Sequence, residues 1–436
     1  MSSEWVISEL GKEAINASRP FSFKQHPNVV FVNTGDVLNG SLLHSDVSCG
    51  KGLPGQAKKA LQQHDILLTE IRPGNRRFAY VDFDARKYVV STKFMVIESL
   101  GRVSPRFLYH VLTNQSALNS FQRIAESRSG TFPQITFDSI AHYPVPVPPD
   151  NDQQKLVEFL DALDQRVTLL HETNATLEAI AQVIFKSWFI DFDPVRAKSE
   201  GLEPEGMDAA TASLFPDSLE ESESGMIPKG WRVGSVAALG EVICGKTPPT
   251  SQPENYGDEV PFITIPDMHD RLVITSTNRF LSRLGAESQK RKYLPAGSIC
   301  VSCIATPGLV VRVIYASQTN QQINSVLPFD KWGKSFPLFL LRRIGDAVRA
   351  GGSGGSVFHN LSKSSFEELK VLLASEDLAQ KFDEVVEPLV AKIVKNQEQA
   401  LTLSQFRDNL LPRLISGELR LQEAKADVEN ALLEAI

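Results

Sequence analysis

Three short segments of the chain have residue types and spacing that could support chemistry. Residues 240–247 match the phosphate-binding pattern G-x-x-x-x-G-K-[ST], which requires a helix that begins at the lysine and points its free amides at phosphate. Here the intervening Glu-Val-Ile-Cys favours a strand, and Pro248 and Pro249 prevent a helix from starting. We therefore interpret the match as chance, which argues against a P-loop nucleotide hydrolase.

The other two segments also have a structural interpretation. Cys300 and Cys303 have C-x-x-C spacing, but no second cysteine pair or histidine cluster completes a metal site, so we expect them in a buried strand over residues 298–304. Residues 368–370 (Glu-Leu-Lys) supply only half of a nuclease motif and fit a solvated face. Nothing in the sequence assembles a nucleophile, a base and an orienting group. The sequence thus predicts no catalytic residue, no metal site and no cofactor bound by this chain.

Two long helices are predicted from apolar residues that alternate four and three residues apart, the pattern of a coiled-coil seam. Each seam is about 48 Å long at the helical rise per residue. Pro148 and Pro149 are expected to precede the first helix and Pro194 to end it. The first seam consists of Leu156, Leu160, Leu163, Val167, Leu170, Asn174, Leu177, Ala181, Ile184 and Trp188. The second consists of Phe382, Val386, Leu389, Ile393, Asn396, Ala400, Leu403, Arg407, Leu410 and Leu414.

One asparagine interrupts each seam. If the helices pair antiparallel about a pseudo-two-fold axis near residue 172, Asn174 lies opposite Asn396. We hypothesise that the two side chains hydrogen-bond and fix the register of the pair, a known use of a buried asparagine. The alternative is two independent, exposed asparagines.

The helices belong to an internal repeat with an offset of 226 residues. Residues 130–135 align with residues 356–361, and Val145 aligns with Val371. Farther upstream the match loosens, although residues 64–68 still resemble residues 296–300. The chain therefore carries two similar globular modules, each followed by a long helix.

Both modules contain short apolar runs broken by Gly, Pro and Asn, which indicate strands. These runs cover residues 78–83, 88–97, 260–265, 298–304 and 310–316. The predicted fold is α/β, with two strand-rich α/β modules joined by two long antiparallel coiled-coil helices in a pseudo-two-fold repeat. The predicted segments are a first module (1–149), a central helix (150–195), an acidic linker (196–228), a second module (229–374), a C-terminal helix (375–421) and a tail (422–436).

Charge alternates along these segments. The net charge of −7 for the whole chain conceals +4 in residues 1–149 and +6 in residues 229–374, with negative values for the helices and the linker. Basic modules facing phosphate and acidic helices facing a partner would produce this pattern. The alternative is a chance distribution, but its occurrence in both halves favours DNA binding.

Base and phosphate contacts require Arg, Lys, Asn or Gln on loops or strand ends. In the first module the candidates are Lys58, Lys59, Arg72, Arg76 and Arg77. In the second they are Lys290, Arg291, Lys292, Asn320, Gln321 and Gln322. For any single residue the alternative is a solvated surface side chain, so the clusters are the stronger prediction.

The cellular compartment of the protein is predicted from the absence of targeting signals in the sequence. The N-terminus has no basic region followed by an apolar core, and no apolar run approaches the roughly 20 residues that span a bilayer. We expect a cytoplasmic protein with no membrane partner.

These features together resemble the specificity subunit of Type I restriction–modification systems. Residues 185–201 look like the family's central helix end, and residues 225–231 resemble its approach to the second module. Residues 245–248 (Gly-Lys-Thr-Pro) look like its Gly-x-Thr-Pro start, and residues 146–154 resemble its approach to the first helix. The second copy departs from the pattern, because residues 371–374 lack the prolines and Arg407 interrupts the seam.

The resemblance implies two target-recognition domains, each reading one half of a split, asymmetric sequence in double-stranded DNA. The two helices would act as a spacer and as the docking surface for two methyltransferase subunits, which would bring S-adenosylmethionine and methylate adenine. Restriction subunits would bring ATP hydrolysis, with Mg2+, and cleavage. A coiled-coil scaffold that binds only proteins is the alternative of a different class, and DNA binding distinguishes the two.

Overall fold

The structure is a computed structural model that describes residues 5–128, 132–223, 225–304, 306–349 and 361–434. It divides into two compact units, residues 1–168 with 399–436, and residues 169–398. Each unit contains one module together with part of both long helices.

The first module is built from short strands with few helices, as the apolar runs predicted. Its strands are β1 (Val6–Glu9), β2 (Ala14–Asn16), β3 (Asn28–Val32), β4 (Val37–Leu38), β5 (Ser41–Leu42), β6 (Val47–Cys49), β7 (Ala57–Ala60), β8 (Ile66–Thr69), β9 (Phe78–Tyr80), β10 (Tyr88–Ser91), β11 (Phe94–Ser99) and β12 (Pro144–Val147). Its helices are α1 (Leu10–Glu13), α2 (Pro105–Thr113), α3 (Gln115–Arg128) and α4 (Phe137–Ile140).

Two four-stranded sheets, in the orders β2-β11-β8-β9 and β6-β3-β10-β7, form most of this module, and β1 pairs with β12. Leu67, Phe94 and Val96 are among the fully buried side chains of its core. The predicted run 88–97 is two strands, β10 and β11, because the chain turns at Thr92 and Lys93.

The long helix α5 (Asp150–Lys186) leads from the first module to the second. After it come α6 (Asp193–Ser199), α7 (Ala209–Ser213), β13 (Leu219–Ser222), β14 (Gly225–Pro228), β15 (Arg232–Ser235), β16 (Gly240–Cys244), β17 (Tyr256–Ile263), α8 (Ile265–Met268), β18 (Val273–Ile274), β19 (Phe280–Leu281), α9 (Arg283–Glu287), β20 (Ile299–Ser302), β21 (Val310–Val313), β22 (Gln318–Thr319), β23 (Ile323–Pro328), α10 (Ser335–Arg349), α11 (Lys363–Glu367) and β24 (Lys370–Leu373). The chain ends with the long helix α12 (Glu376–Ile415) and α13 (Leu421–Glu434).

The sheets of the second module repeat those of the first. The order β16-β23-β20-β21-β18 corresponds to β2-β11-β8-β9 with one added strand, and β15 pairs with β24 as β1 pairs with β12. A parallel pair occurs in each module, β3 with β10 and β17 with β22. The paired end strands begin at residues 6, 144, 232 and 370, which reproduces the predicted offset of 226 residues.

Upstream, the predicted alignment of residues 64–68 with residues 296–300 is wrong by one residue. His64 donates its backbone N–H to Val81 O at 2.7 Å, and Gly297 donates to Val313 O at 2.8 Å, so these two residues are equivalent. Both have positive φ, 75° and 95°, because the turn into the strand requires the left-handed region. His64 and Gly297 thus share a left-handed backbone conformation although their side chains differ. Of the other aligned stretches, residues 130–131 and 356–360 lie outside the described residues.

The two long helices have 37 and 40 residues, so they are about 56 and 60 Å long. All of the predicted seam positions are buried or half-buried, which confirms the heptad pattern. In the second unit Asn396 meets Asn174, and Phe382 meets Trp188 with ring centroids 5.9 Å apart. The residue numbers of contacting pairs increase along α5 as they decrease along α12, so the two helices are antiparallel in this unit.

Pro194 does not end the first helix, contrary to expectation. The helix continues as a π-helical turn over Ser187–Asp191 and stops at Phe192, whose φ of 58° is left-handed. Pro194 lies instead in the first turn of α6, where the missing N–H costs no hydrogen bond.

Two segments predicted as linker and tail contain helices or strands that their composition did not indicate. The acidic segment 196–228, interpreted as a linker, contains α7 and the hairpin of β13 with β14, and most of α6. The C-terminal helix ends at Ile415 rather than at residue 421, and the predicted tail is helix α13. Ala424 and Val428 are buried on one face of α13, so the tail packs against its own unit. Within the described residues, no helix combines the length and apolarity needed to cross a bilayer.

Candidate nucleic-acid interface

The arginine cluster of the first module lies on the turn between β8 and β9. Arg76 donates to Asn39 Oδ1 at 2.5 Å and to Gln115 Oε1 at 2.6 Å. Arg77 donates to the backbone carbonyls of Gly35 and Val37 at 3.0 and 2.9 Å. Both guanidinium groups therefore connect this turn to neighbouring segments of the module.

Arg72 differs from the other two arginines. It is exposed, its φ is 45°, and its backbone N–H donates to Pro133 O at 3.0 Å. Among the described residues no hydrogen bond or ion pair engages its guanidinium group. The structure thus favours Arg72 as the free cation of the cluster, and DNA contact by all three remains a prediction.

Of the two lysines on β7, one is likewise free among the described residues and the other is bonded within the module. Lys58 is exposed, whereas Lys59 is half-buried and donates its Nζ to Phe94 O at 2.5 Å. Burial lowers the pKa of Lys59, although Glu70 nearby opposes that shift. A lysine bonded to a backbone carbonyl stabilises the module, so Lys58 is the better candidate for a phosphate contact.

The second module brings its candidates together from three segments. The cations Lys290, Arg291 and Lys292, here termed the second basic cluster, form a short 3-10 helix after α9. Lys290 and Arg291 are exposed and Lys292 is half-buried, and no side chain elsewhere in the described residues pairs with them. The other two segments are the turn 245–248 after β16 and the turn 319–322 before β23.

Gly245 allows these two turns to approach each other closely. A Cβ atom at this position would lie 2.1 Å from Asn320 O, so only glycine fits. Lys246 N donates to Thr319 O at 2.9 Å, and the Thr247 hydroxyl donates to Gln321 Oε1 at 2.5 Å. The Gly-Lys-Thr sequence therefore forms a turn that presents an exposed lysine.

Asn320 and Gln322 bond to each other across the second turn. Asn320 Nδ2 donates to Gln322 Oε1 at 3.1 Å, and Gln322 N donates to Asn320 Oδ1 at 3.2 Å. Gln321 is exposed at the tip of the turn. An exposed amide supported by bonded neighbours can offer both a donor and an acceptor to a base edge.

Sequence reasoning missed two residues at this surface. Lys246 was part of the phosphate-loop pattern and of the Gly-x-Thr-Pro segment, but it was not predicted to contact DNA. No helix directly follows β16, which confirms that residues 240–247 do not form a phosphate-binding loop. Gln289 is 6% exposed, and its Nε2 donates to Lys246 O at 2.9 Å and to Gln318 Oε1 at 2.7 Å. No sequence pattern marks it, because its two side-chain partners come from separate segments.

Cys300 and Cys303 are core residues, as predicted. They are 0% and 1% exposed, and burial raises the pKa of Cys300 to about 12 and that of Cys303 to about 11. Both thiols accept hydrogen bonds, from Ser325 Oγ at 3.4 Å and from Asn324 Nδ2 at 3.3 Å.

His110, Asp161 and Asp164 are close enough in the first unit to be considered as metal ligands. Each carboxylate already has an arginine partner, since Arg106 bonds to Asp161 at 2.8 Å and Arg407 bonds to Asp164 at 2.6 Å. Burial tends to raise the pKa of Asp161, but His110 and Arg106 together hold that pKa below its ordinary value. The group is an ion-pair network that anchors α2 and α12 to α5, and it accounts for the arginine in the second seam.

A comparable anchor holds the second module. Arg312 on β21 is 4% exposed and bonds to both carboxylate oxygens of Glu387 on α12, at 2.6 and 2.9 Å. Glu387 stands 226 residues after Asp161, so equivalent helix positions hold each module. These ion pairs set the orientation of each candidate surface on its own stretch of helix.

The asparagine pair lies inside the helix seam of the second unit. Asn396 Nδ2 donates to Asn174 Oδ1 at 2.8 Å, and Asn174 Nδ2 donates to Ile393 O at 3.4 Å. Asn174 is 9% exposed and Asn396 is 2% exposed. The expected hydrogen bond is present, and its role in fixing register remains a prediction.

The aromatic run at the end of α5 forms the core of the second unit. Phe189 contacts Phe382, Phe336 and Trp231, with centroid distances of 5.2, 4.9 and 5.7 Å. Trp188 packs edge-on against Phe215 at 5.2 Å. These residues join the end of the first helix to the second module and to the start of α12, so their role is structural.

Known proteins share this organisation. The family described as Type I restriction modification DNA specificity domain matches residues 3–179 and again residues 228–403. The HindI specificity subunit of a Type I restriction enzyme from Haemophilus influenzae is 43% identical over 96% of this chain and 100% of its own length. The MjaIX specificity subunit from Methanocaldococcus jannaschii is 26% identical over 82% of this chain and 78% of its own length.

A solved structure extends the similarity to the fold. The S subunit of a Type I restriction–modification system from M. genitalium superposes with a TM-score of 0.53 at 14% identity, and covers 95% of this chain and 97% of its own. At this identity the likeness concerns the fold alone.

Proposed function

Since the chain belongs to the Type I restriction–modification DNA specificity family, we propose that it is the specificity subunit of such a system and reads a two-part DNA sequence. Each module contacts one part. The chain itself is not an enzyme, and the reactions belong to its partner subunits.

The observation that carries this proposal is the repetition of one module with different exposed polar residues. The main sheet has the same strand order in both copies apart from the added β18. The exposed polar residues differ: Lys58 and Arg72 in the first module, and Lys246, Gln321 and the second basic cluster in the second. A shared scaffold with different loop chemistry is suited to reading two different half-sites, since base contacts specify sequence and cationic contacts position the protein.

The helices support a second part of the proposal, the binding of methyltransferase subunits. Leu169, Ile180 and Val183 lie off the seam of α5 and are 52%, 44% and 66% exposed. Exposed apolar side chains on an otherwise acidic helix suit a protein partner better than DNA. We place two methyltransferase subunits on the helices and restriction subunits in the larger complex.

The cofactors follow from this assignment. S-adenosylmethionine would be bound by the methyltransferase subunits, and ATP with Mg2+ by the restriction subunits. The proposed location is the cytoplasm, where the DNA substrate is found. The helices would also set the length of the unread gap between the half-sites.

The proposal is tested by selection from randomised DNA duplexes with the chain assembled with its methyltransferase subunits. The expected result is two short conserved blocks separated by a gap of constant length. A single block, or no enrichment by a properly assembled complex, would contradict the proposal and favour a protein-binding scaffold.

A further inference from the structure

We infer that Gln289 is a positioning residue for the half-site read by the second module. Its side-chain amide holds together the three segments that carry the exposed polar groups of that module. The inference rests on the proposed function and adds a residue that does not itself touch DNA.

The contacts of the amide reach two of these segments directly. Gln289 Nε2 donates to Lys246 O at 2.9 Å and to Gln318 Oε1 at 2.7 Å. Gln318 is fully buried, lies in β22 and directly precedes the turn 319–322. One NH2 group therefore connects the lysine turn to the amide turn.

The third segment is attached through the backbone. Gln289 directly precedes the second basic cluster, and its carbonyl accepts the N–H of Lys292 at 2.8 Å. Gln318 Nε2 completes the connection by donating to Ala286 O at 2.9 Å, on the helix before the cluster. Moving Gln289 would displace the cations and both turns together.

The chemistry of the site favours positioning over packing. Gln289 is 6% exposed, yet its Oε1 has no hydrogen-bond partner among the described residues. A buried amide oxygen without a donor is destabilising, and an apolar side chain of the same size would avoid that cost. An amide is needed here for the two bonds that its NH2 group makes, and both bonds end on segments of the candidate surface.

Asn324 provides a matched control in the same module. Asn324 is 2% exposed, and its Nδ2 donates to Cys303 Sγ at 3.3 Å and to Leu361 O at 3.4 Å. Like Gln289 Oε1, its Oδ1 lacks a hydrogen-bond partner among the described residues. Its contacts reach the core rather than the three segments. Loss of this amide should affect folding as much as loss of Gln289.

The experiment compares Gln289→Leu and Gln289→Met with Asn324→Leu in the full chain, assembled with its methyltransferase subunits. Each complex is used to select from randomised DNA duplexes, and binding is then measured on duplexes altered at single base pairs of either block. We expect both Gln289 variants to lose about tenfold or more of their discrimination in one block, the range of a base contact. Discrimination in the other block should be unchanged, and Asn324→Leu should retain both blocks.

Several outcomes would overturn the inference. These are sharp discrimination in both blocks by both Gln289 variants, equal loss in both blocks, or the same one-block loss in Asn324→Leu. The methionine variant, which preserves side-chain volume, guards against misfolding of the leucine variant. An unchanged chain that selects no two-part sequence would overturn the proposed function and this inference with it, whereas the outcomes above overturn the inference alone.

Discussion

The asparagine pair in the seam allows a quantitative test of the helix register. Replacing Asn396 with leucine leaves Asn174 Oδ1 buried without its donor at 2.8 Å. Such a group costs about 1–3 kcal/mol, whereas replacing both partners with apolar residues is nearly neutral or stabilising. We therefore expect Asn396→Leu to destabilise the second unit by about 1–3 kcal/mol. The double variant with Asn174→Leu should recover most of that loss.

Tryptophan fluorescence makes the measurement selective for the second unit. Three of the four tryptophans, Trp188, Trp231 and Trp332, lie within residues 169–398, and Trp5 lies in the other unit. For a unit of this size each kcal/mol shifts Tm by about 2–4 °C, so the single variant should melt roughly 2–12 °C lower. Denaturant unfolding of both singles and the double variant gives their coupling energy.

The control for this cycle is Lys395→Leu, at an exposed position of the same helix and within residues 169–398. It should change stability by less than about 0.5 kcal/mol. The reasoning is refuted if Asn396→Leu and Asn174→Leu are each as neutral as the control, or if their effects simply add in the double variant.

Three further predictions concern the anchor, the core thiols and the second basic cluster. Glu387→Gln should destabilise the second unit by about 2 kcal/mol or more, because it leaves Arg312 buried without its counter-charge, and denaturant unfolding measures the loss. The pKa of Cys300 is raised to about 12, so its buried thiol should stay protonated through pH 9. Maleimide should therefore label exposed Cys49 in the folded chain and Cys300 only after unfolding, as measured by mass spectrometry. Equal labelling rates for the two cysteines in the folded chain would contradict this prediction. Alanine at all three positions of the second basic cluster should reduce the slope of log affinity against log salt by up to about 3, whereas an unchanged slope would exclude the cluster from the interface.

The helices and the repeat could be predicted because their signals are local and periodic. A seam residue such as Leu160 or Val386 is identified by its spacing, and burial follows from that spacing alone. Helix α13 had a similar but shorter signal in Leu421, Ala424 and Val428, which the acidic composition of the tail obscured.

The candidate interface was only partly predictable, because the role of a cation depends on what the fold places beside it. Arg76 and Arg72 look alike in sequence, but Asn39 and Gln115 accept hydrogen bonds only from Arg76. Lys59 donates its Nζ to a backbone carbonyl on β11, a strand of the other sheet, and no sequence pattern encodes this contact. For the same reason Gln289 could not be found without the structure.

The most direct test of the central claim is methylation-detecting long-read sequencing of DNA from cells that express this chain with its methyltransferase subunits. We predict modified adenines in a two-part, asymmetric sequence with a gap of constant length, and no such modification without this chain. Methylation of that sequence in the absence of the chain, or no modified two-part sequence in the presence of a verified complex, would contradict the assignment of the chain as the subunit that reads the site.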